Sequence, residues 1–287
     1  METITSRDYK KALEDLGVCY LGKWSQSAKM VKNEIVGNEI TYALYLAPAN
    51  MSGYEVCPNS ARCREFCLNN AGRNKGDIIM RGMEHSKINV SRIKKTRLFF
   101  ENKPLFMDLL IYELNKAREH AMANGMAFSV RLNCTSDISP LAFVKNGQNI
   151  LDIFNDVMFY DYTKVPARLE VAKRYDNYDI TFSHDGGNWE TCEKFLKEGI
   201  NVAVVFESNI VPIAYKGYRV IDMTKTDLRY RDAKSNDGEG FVGFLEFHRT
   251  SNEYKSGKYV RPNTPFIIRE DDPCVTYEFH TANDNEE

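Results

Sequence analysis

The chain lacks the features that place most proteins in a class at first sight. Its opening, residues 1–10, holds no apolar segment of the kind a signal peptide needs. No apolar run approaches the ~18 residues that cross a membrane. These absences read as a cytosolic chain with no membrane partner. Neither sign of charge dominates, with 38 Lys and Arg against 40 Asp and Glu. That excludes the strong field of a general polyanion binder, while a local basic groove stays compatible with it. A disulfide framework is missing too. The seven cysteines are odd in number, and three of them crowd into eleven residues. Without a secretion signal, such crowding points to a reducing compartment and a metal rather than to cross-links.

What is present is core-forming material. Hydrophobic residues make up 43% of 287, and aromatic residues 12%, enough for one large α/β domain or two small ones and too much for a disordered chain.

The densest chemistry lies in residues 56–72, where Cys57, Cys63 and Cys67 stand in the spacing Cys-x5-Cys-x3-Cys with no histidine among them. Three thiolates without a nearby fourth suit a metal centre that keeps one position open. Catalytic zinc is one such centre. A [4Fe-4S] cluster held through three of its four irons is another. Cysteines also serve as small buried hydrophobes, but Pro58, Asn59, Ser60, Arg62 and Arg64 make this stretch too polar for a core. Cys134 is a candidate fourth ligand, and Cys19, Cys192 and Cys274 are isolated.

The rest of the chain alternates between strand and helix patterns. Residues 1–40 read as an N-terminal extension with a short helix at 8–16. The first strand is expected at 41–47, stopped by Pro48, with the cysteine loop directly after it. Helices follow at 77–100 and 105–123, the second ended by Asn124-Gly125. Strands at 127–132, 157–160, 178–182, 201–206 and 218–221 then alternate with helices at 150–155, 166–175 and 189–198. This rhythm implies βαβ units and a parallel sheet. The expected fold is α/β, a partial or irregular (β/α) barrel over residues 41–232. Residues 233–287 are expected as a C-terminal appendage, with strands at 241–247 and 264–268 and a polar tail.

Parallel α/β folds gather function at the carboxyl ends of their strands, and each expected strand ends in polar residues. Asn133, Ser136 and Asp137 follow one; Asp161 and Lys164 follow the next; Ser183 and His184 the third; Glu207 the fourth; Asp222 the fifth. Asp137 and Asp161 suit acid–base partners or ligands, Lys164 an anchor for an anionic substrate, and His184 beside Asp185 an oriented acid–base group. Asn133, Ser136, Ser183, Glu207 and Asp222 are candidates for holding a cofactor. Turns and helix caps select the same residue types, so it is their coincidence with the cysteine loop that makes a site. Gly186-Gly187 suits either a close backbone approach to a ligand or a plain turn. The helix at 77–100 carries Arg81, Lys87, Arg92, Lys94, Lys95 and Arg97, a docking face for a phosphate backbone or an ordinary solvated face.

Two likenesses bear on these residues. The segments Tyr45-Leu-Ala-Pro-Ala, Cys57-Pro-x4-Cys63-x3-Cys67-Leu-Asn-x-Ala-Gly72, Val130-Arg-Leu-Asn-x-Thr-Ser-Asp137, Phe159-Tyr-Asp-Tyr-Thr-Lys164 and Thr181-Phe-Ser183 resemble the phage "gene 88 protein" family across about residues 40–235. The resemblance implies a viral or prophage origin and little biochemistry. Architecturally the chain is also similar to radical S-adenosylmethionine enzymes. Their three cluster cysteines follow the first strand of a partial barrel, and the unique iron chelates S-adenosylmethionine. Their usual spacing is Cys-x3-Cys-x2-Cys, and the Gly-Gly-Glu that follows their second strand has no counterpart here. The expected function is a phage metalloenzyme with an iron–sulfur cluster, acting on a nucleotide, a nucleic-acid base or a host macromolecule. The rival readings are a base-modifying enzyme of transglycosylase type with structural zinc, and a non-enzymatic binding protein pinned by zinc. Oligomeric state is not legible in the sequence.

Overall fold

Side chains on a strand point alternately to the two faces of a sheet, and here the alternation separates an apolar face from a polar one. The computed structural model describes residues 4–24, 27–60, 62–64, 66–67, 69, 86–234, 238–247 and 264–277. In chain order they form α1 (Ser6–Leu16), β1 (Gly22–Lys23), α2 (Ala28–Gly37), β2 (Glu39–Leu44), α3 (Lys87–Glu101), α4 (Lys103–Ala123), β3 (Ala127–Arg131), the hairpin β4 (Val144–Lys145) and β5 (Gln148–Asn149), α5 (Ile150–Ile153), β6 (Met158–Thr163) and α6 (Arg168–Arg174). There follow β7 (Tyr178–Ser183), α7 (Trp189–Lys197), β8 (Val202–Phe206), β9 (Ala214–Tyr215), β10 (Tyr218–Asp222), β11 (Val242–Glu246), β12 (Ile267–Ile268) and β13 (Val275–Thr276).

Eleven of these strands make one mixed sheet in the order β1-β2-β3-β6-β7-β8-β11-β10-β9-β13, with β12 also paired to β8. From β2 to β10 every pairing is parallel. From β2 to β8 each new strand is laid on the same side of the last, so the carboxyl ends line one rim. The described residues show no pairing that joins the two ends of this path.

Tyr42, Val130, Phe159, Ile180, Phe182, Val204 and Phe244 belong to the buried core on one face. α4 covers this face through Phe106, Leu110 and Leu114, and α7 through Phe195, whose ring stacks on Phe182 at 4.1 Å. The opposite face carries Thr41, Ser129, Arg131, Tyr160 and Thr181, all buried. It is covered by α2 and by the chain leaving β10. Asn33 of α2 donates to Thr41 Oγ1 (2.9 Å) and Tyr160 Oη (3.2 Å) and accepts from Asp227 N (2.7 Å). Tyr230 lies against Tyr160.

Two expected segments are more deeply integrated than their patterns indicate. Within 1–40, β1 pairs with β2 and Leu21 is wholly buried. The buried carboxylate of Glu113 on α4 fastens this part, accepting from Tyr9 Oη, Leu21 N, Gly22 N and Tyr42 Oη. Within 233–287, β11 lies between β8 and β10, and β12 pairs with the end of β8. The first strand runs Glu39–Leu44 rather than 41–47, because Tyr45–Ala47 turn away into the loop at the rim. Residues 70–85 and the tail 283–287 lie outside the described residues. No helix among those described is long and apolar enough to cross a membrane.

Leaving a buried donor without its acceptor costs ~1–3 kcal/mol, and Glu113→Ala strands four. Chemical denaturation should show a loss of about 3 kcal/mol or more for Glu113→Ala, and about 1 kcal/mol for Tyr9→Phe, which removes one bond and strands no other donor.

Candidate functional site

The rim is assembled by loops that hydrogen-bond to one another. The loop after β2, which carries the cysteines, is zipped to the loop after β3: Cys134 N donates to Leu44 O (3.2 Å), Thr135 Oγ1 to Leu46 O (2.6 Å) and Asp137 N to Val56 O (2.7 Å). Asn59 Nδ2 then reaches Lys164 O beyond β6 at 2.7 Å. Arg62, between the first two cysteines, extends to the loop after β7. It lies 3.7 Å from Asp185, and its guanidinium sits against Gly187 where any Cβ would collide. Gly186 has φ +90°, and a Cβ there would stand 2.6 Å from the backbone of Pro265 and Phe266. The Gly-Gly pair thus admits two other parts of the same chain, Arg62 and the approach to β12.

The three thiols lie within one another's electrostatic reach. Burial pushes Cys57 up to about 12 and raises Cys67 as well, with the neighbouring thiols adding to both shifts. Cys57 Sγ accepts from Ala49 N (3.4 Å) and donates to Thr135 O (3.7 Å), and Cys63 Sγ donates to Ser60 O (3.5 Å). Among the described residues, no three His, Cys, Asp or Glu side chains are grouped as a metal site. Cys134 faces elsewhere. Burial raises it to about 11, and the charged groups that act on it most are Arg131, Asp227 and Asp161. Beside the cysteines, Phe66 stacks on Phe266 (5.9 Å) and meets Phe247 edge-on (6.2 Å), forming an apolar wall.

The expected acid–base groups occupy definite places. Asp161 accepts from Asn133 N (2.9 Å) and Asn133 Nδ2 (2.8 Å), while Asn133 Oδ1 accepts from Ser136 Oγ and Ile138 N. Burial is the larger influence on the carboxyl, lifting it to about 6 against the pull of these bonds. Asp137 accepts from Thr163 Oγ1 (2.8 Å) and Lys164 N (2.9 Å), with Arg168 beside it. Both carboxylates hold loops in register. Lys164 Nζ rides 6.0 Å above the Phe266 ring, and no carboxylate among the described residues pairs with it. His184 is buried edge-on to Trp189, its Nδ1 has no partner among the described residues, and burial lowers it to about 4. Ser183 offers its carbonyl to Asn188 Nδ2 (3.0 Å), Glu207 N donates to Ile268 O (2.8 Å), and Asp222 Oδ1 caps its own turn through Thr224. The structure therefore brings Cys57, Cys63, Cys67, Lys164 and His184 to one sector of the rim and puts Asp222 at another strand end.

The basic helix ties several of its charges to neighbouring backbone and amides, while Lys87 and Arg97 stay exposed. Lys95 Nζ, buried, donates to Leu21 O (2.8 Å); Lys94 donates to Gly17 O (3.3 Å), Arg97 Nε to Ser52 O (3.0 Å) and Arg92 to Asn69 Oδ1. Arg81 lies outside the described residues. Sequence reasoning does not pick out Arg62 and Asn59 as site residues, although both stand inside the cysteine motif. It has no signal for Phe247, since its partner Phe66 is distant in the chain.

A family model described as Gene product 88 matches residues 20–261. No curated protein matches this chain, and no solved structure does. Nothing in these comparisons supports the likeness to radical S-adenosylmethionine enzymes.

Asp161→Asn should cost ~1–3 kcal/mol, because one amide hydrogen pair would then face another. Its pH dependence has a definite sign. A folded-state pKa of about 6, above the usual ~3.9 of an unfolded Asp, means the folded state binds the proton more tightly. Its contribution is largest below ~4 and is lost as pH rises through about 6. Wild-type stability measured against Asp161→Asn should fall between pH 4 and 6, and a rise would contradict the assignment.

Proposed function

The chain belongs to the Gene product 88 family of phage proteins, and we propose that this member is a metalloenzyme whose metal or iron–sulfur centre is held by Cys57, Cys63 and Cys67. The observation that carries the reading is the clamped cysteine loop. It follows the first parallel strand, and Val56, Asn59 and Arg62 fix it to three other rim loops. The sheet's one-way winding from β2 to β8 supports the finer reading of a partial barrel, with this loop over its carboxyl-end mouth.

The donors suit such a centre. Three soft thiols lie in mutual reach, and after burial the neighbouring thiols add to the upward shifts of Cys57 and Cys67, because adjacent thiolates repel. A bound cation relieves that repulsion. Loading would require Cys57 and Cys63 to exchange the carbonyls of Thr135 and Ser60 for the metal. A cluster bound there would supply one-electron or Lewis-acid chemistry at a position the protein leaves open. The chain's own residues do the rest. Lys164 offers an ammonium to an anionic substrate group, the Phe66–Phe266 stack restricts water at one side, and Arg62 holds the loop to β7. Neutral His184 keeps an imidazole nitrogen for a proton or a hydrogen bond.

Two observations weigh against the rival readings. An aspartate nucleophile, as a transglycosylase-type enzyme requires, has no free candidate in Asp137 or Asp161, since both carboxylates are engaged by backbone and side-chain donors. A docking face on α3 is narrowed by the hydrogen bonds of Arg92, Lys94 and Lys95, which leave Lys87 and Arg97 as its exposed charges.

Anaerobic purification followed by metal and acid-labile sulfide analysis tests the proposal. About four irons and about four sulfides per chain are expected, with brown colour. Cys57→Ala, Cys63→Ala and Cys67→Ala should each lose them, and Cys134→Ala should keep them. One zinc per chain without sulfide would reject the cluster, and no bound metal at all would reject the metalloenzyme.

A further inference from the structure

The polar face of the sheet next to the cysteine loop carries more positive charge than its own carboxylates balance. Asp227, buried at 2% exposure, is shared by two cations: Arg131 Nη1 bonds one oxygen, and Lys29 Nζ lies 3.6 Å from the other. Arg229 acts on the same carboxylate and pairs with Asp232 at 3.2 Å. Arg92 closes the other side. Its guanidinium lies over the Tyr45 ring at 5.0 Å, within electrostatic reach of Cys134 and Cys67. It donates to the neutral amide of Asn69, and no carboxylate pairs with it among the described residues. Four cations therefore meet two carboxylates on this face, and Asp161, which also acts on Arg131 from the strand end, is held by Asn133. The other acids on this face, Glu39 and Asp179, are taken by Arg231 and Tyr230 and by Lys234, respectively.

A second observation points the same way. Arg131 is 7% exposed, and its Nε has no hydrogen-bond partner among the described residues. Burying a guanidinium N–H without an acceptor is unfavourable. A water molecule would satisfy the N–H but leave the charge. An oxyanion satisfies both, and guanidinium forks match its geometry.

We propose that this face, between Lys29 of α2, Arg92 of α3 and Arg131 of β3, binds a phosphate-type oxyanion, with Tyr45, whose hydroxyl is engaged by Cys134 and Ser27, beside it. Lys29 is 41% exposed and stands at the solvent side, Arg131 forms the floor, and Arg92 forms the wall toward Cys67. The ligand approaches from the Lys29 side, and Arg131 shifts its Nε from the Tyr162 ring, which now lies 4.8 Å from the guanidinium carbon, toward the anion. The inference deepens the reading above, since it gives the substrate of the metalloenzyme a phosphate group and rests on that reading for the word substrate; the binding itself uses no cysteine.

Calorimetric titration of the full chain tests it, with inorganic phosphate and a nucleoside monophosphate as separate probes, chloride holding ionic strength constant, and metal content measured on the same samples. One saturable site is expected. Lys29→Gln and Arg92→Gln should each weaken it at least tenfold with metal content unchanged, and Arg62→Gln, on the rim, should leave it as in the wild type. Lys29 is the informative position because its part-exposed side chain can be replaced without stranding a buried charge, whereas Arg131→Gln leaves Asp227 exposed to that risk. Tighter binding of the nucleotide assigns a phosphate ester, and equal binding assigns the free anion. The proposal is overturned if neither probe gives saturable heat, or if Lys29→Gln and Arg92→Gln both titrate like the wild type. Metal-free protein that still binds phosphate would reject the metal centre and leave this site standing.

Discussion

Asp227 is the constraint on which the polar half of the molecule depends. A sheet with Thr41, Ser129, Arg131, Tyr160 and Thr181 on one face cannot bury that face against hydrocarbon, because each group would lose its water without a replacement. The chain leaving β10 supplies the replacement. Asp227 enters between Arg131 and Lys29, its own N–H is taken by Asn33, and Tyr230 and Arg231 bond Glu39 at the start of β2. Removing Asp227 or Arg131 from this set strands the other, both being buried, which costs far more than the pair contributes net. The covering segment and the sheet therefore stand or fall together. Through that single residue the covering segment is tied to both β3 and α2.

The rim is organised on the same principle by backbone groups. Each loop at the carboxyl ends is bonded to its neighbour: Cys134 to Leu44, Asp137 to Val56, Asn133 to Asp161, Asn59 to Lys164. A loop with three cysteines would otherwise vary in shape, since thiols make poor hydrogen bonds. Val56, Asn59 and Arg62 fasten its described first half, around Cys57 and Cys63, to the neighbouring loops. This makes the positions of Cys57 and Cys63 a property of the whole rim, and links the candidate centre to Asp161 and Asp137 without either carboxylate touching it.

Much of the sheet is legible in the sequence, because period-two alternation and β-branched residues mark 127–131, 178–183 and 202–206 plainly. The cysteine loop is legible as well, since cysteines crowded among Pro58, Asn59, Ser60, Arg62 and Arg64 do not fit a hydrophobic core. What escapes is long-range. Nothing local says that 242–246 inserts between β8 and β10, as that order depends on the crossover that Asp227 pins. Nothing local separates a catalytic aspartate from one that holds a loop: Asp137 and Asp161 have the sequence context of both, and the structure adds the donors from Thr163, Lys164 and Asn133 that tie them to their loops. The basic helix is legible only in part, with Lys87 and Arg97 exposed. Its lysines and arginines recur at a spacing that suits a solvated face, yet Lys95 reaches the carbonyl of Leu21, seventy-four residues away in the chain. Gly186-Gly187 suggests room for a ligand, and the room is filled by Arg62 and the backbone of Pro265–Phe266.

The central claim is that the clamped loop presents three thiolates to one metal centre and leaves a position open. X-ray absorption at the metal edge of the protein as isolated tests this most directly, because it reads the atoms bound to the metal. The account predicts a sulfur shell at about 2.3 Å, typical of thiolate ligation, that collapses in Cys63→Ala and is unchanged in Cys134→Ala. A shell of oxygen and nitrogen alone, or an identical sulfur shell in Cys63→Ala, would contradict it.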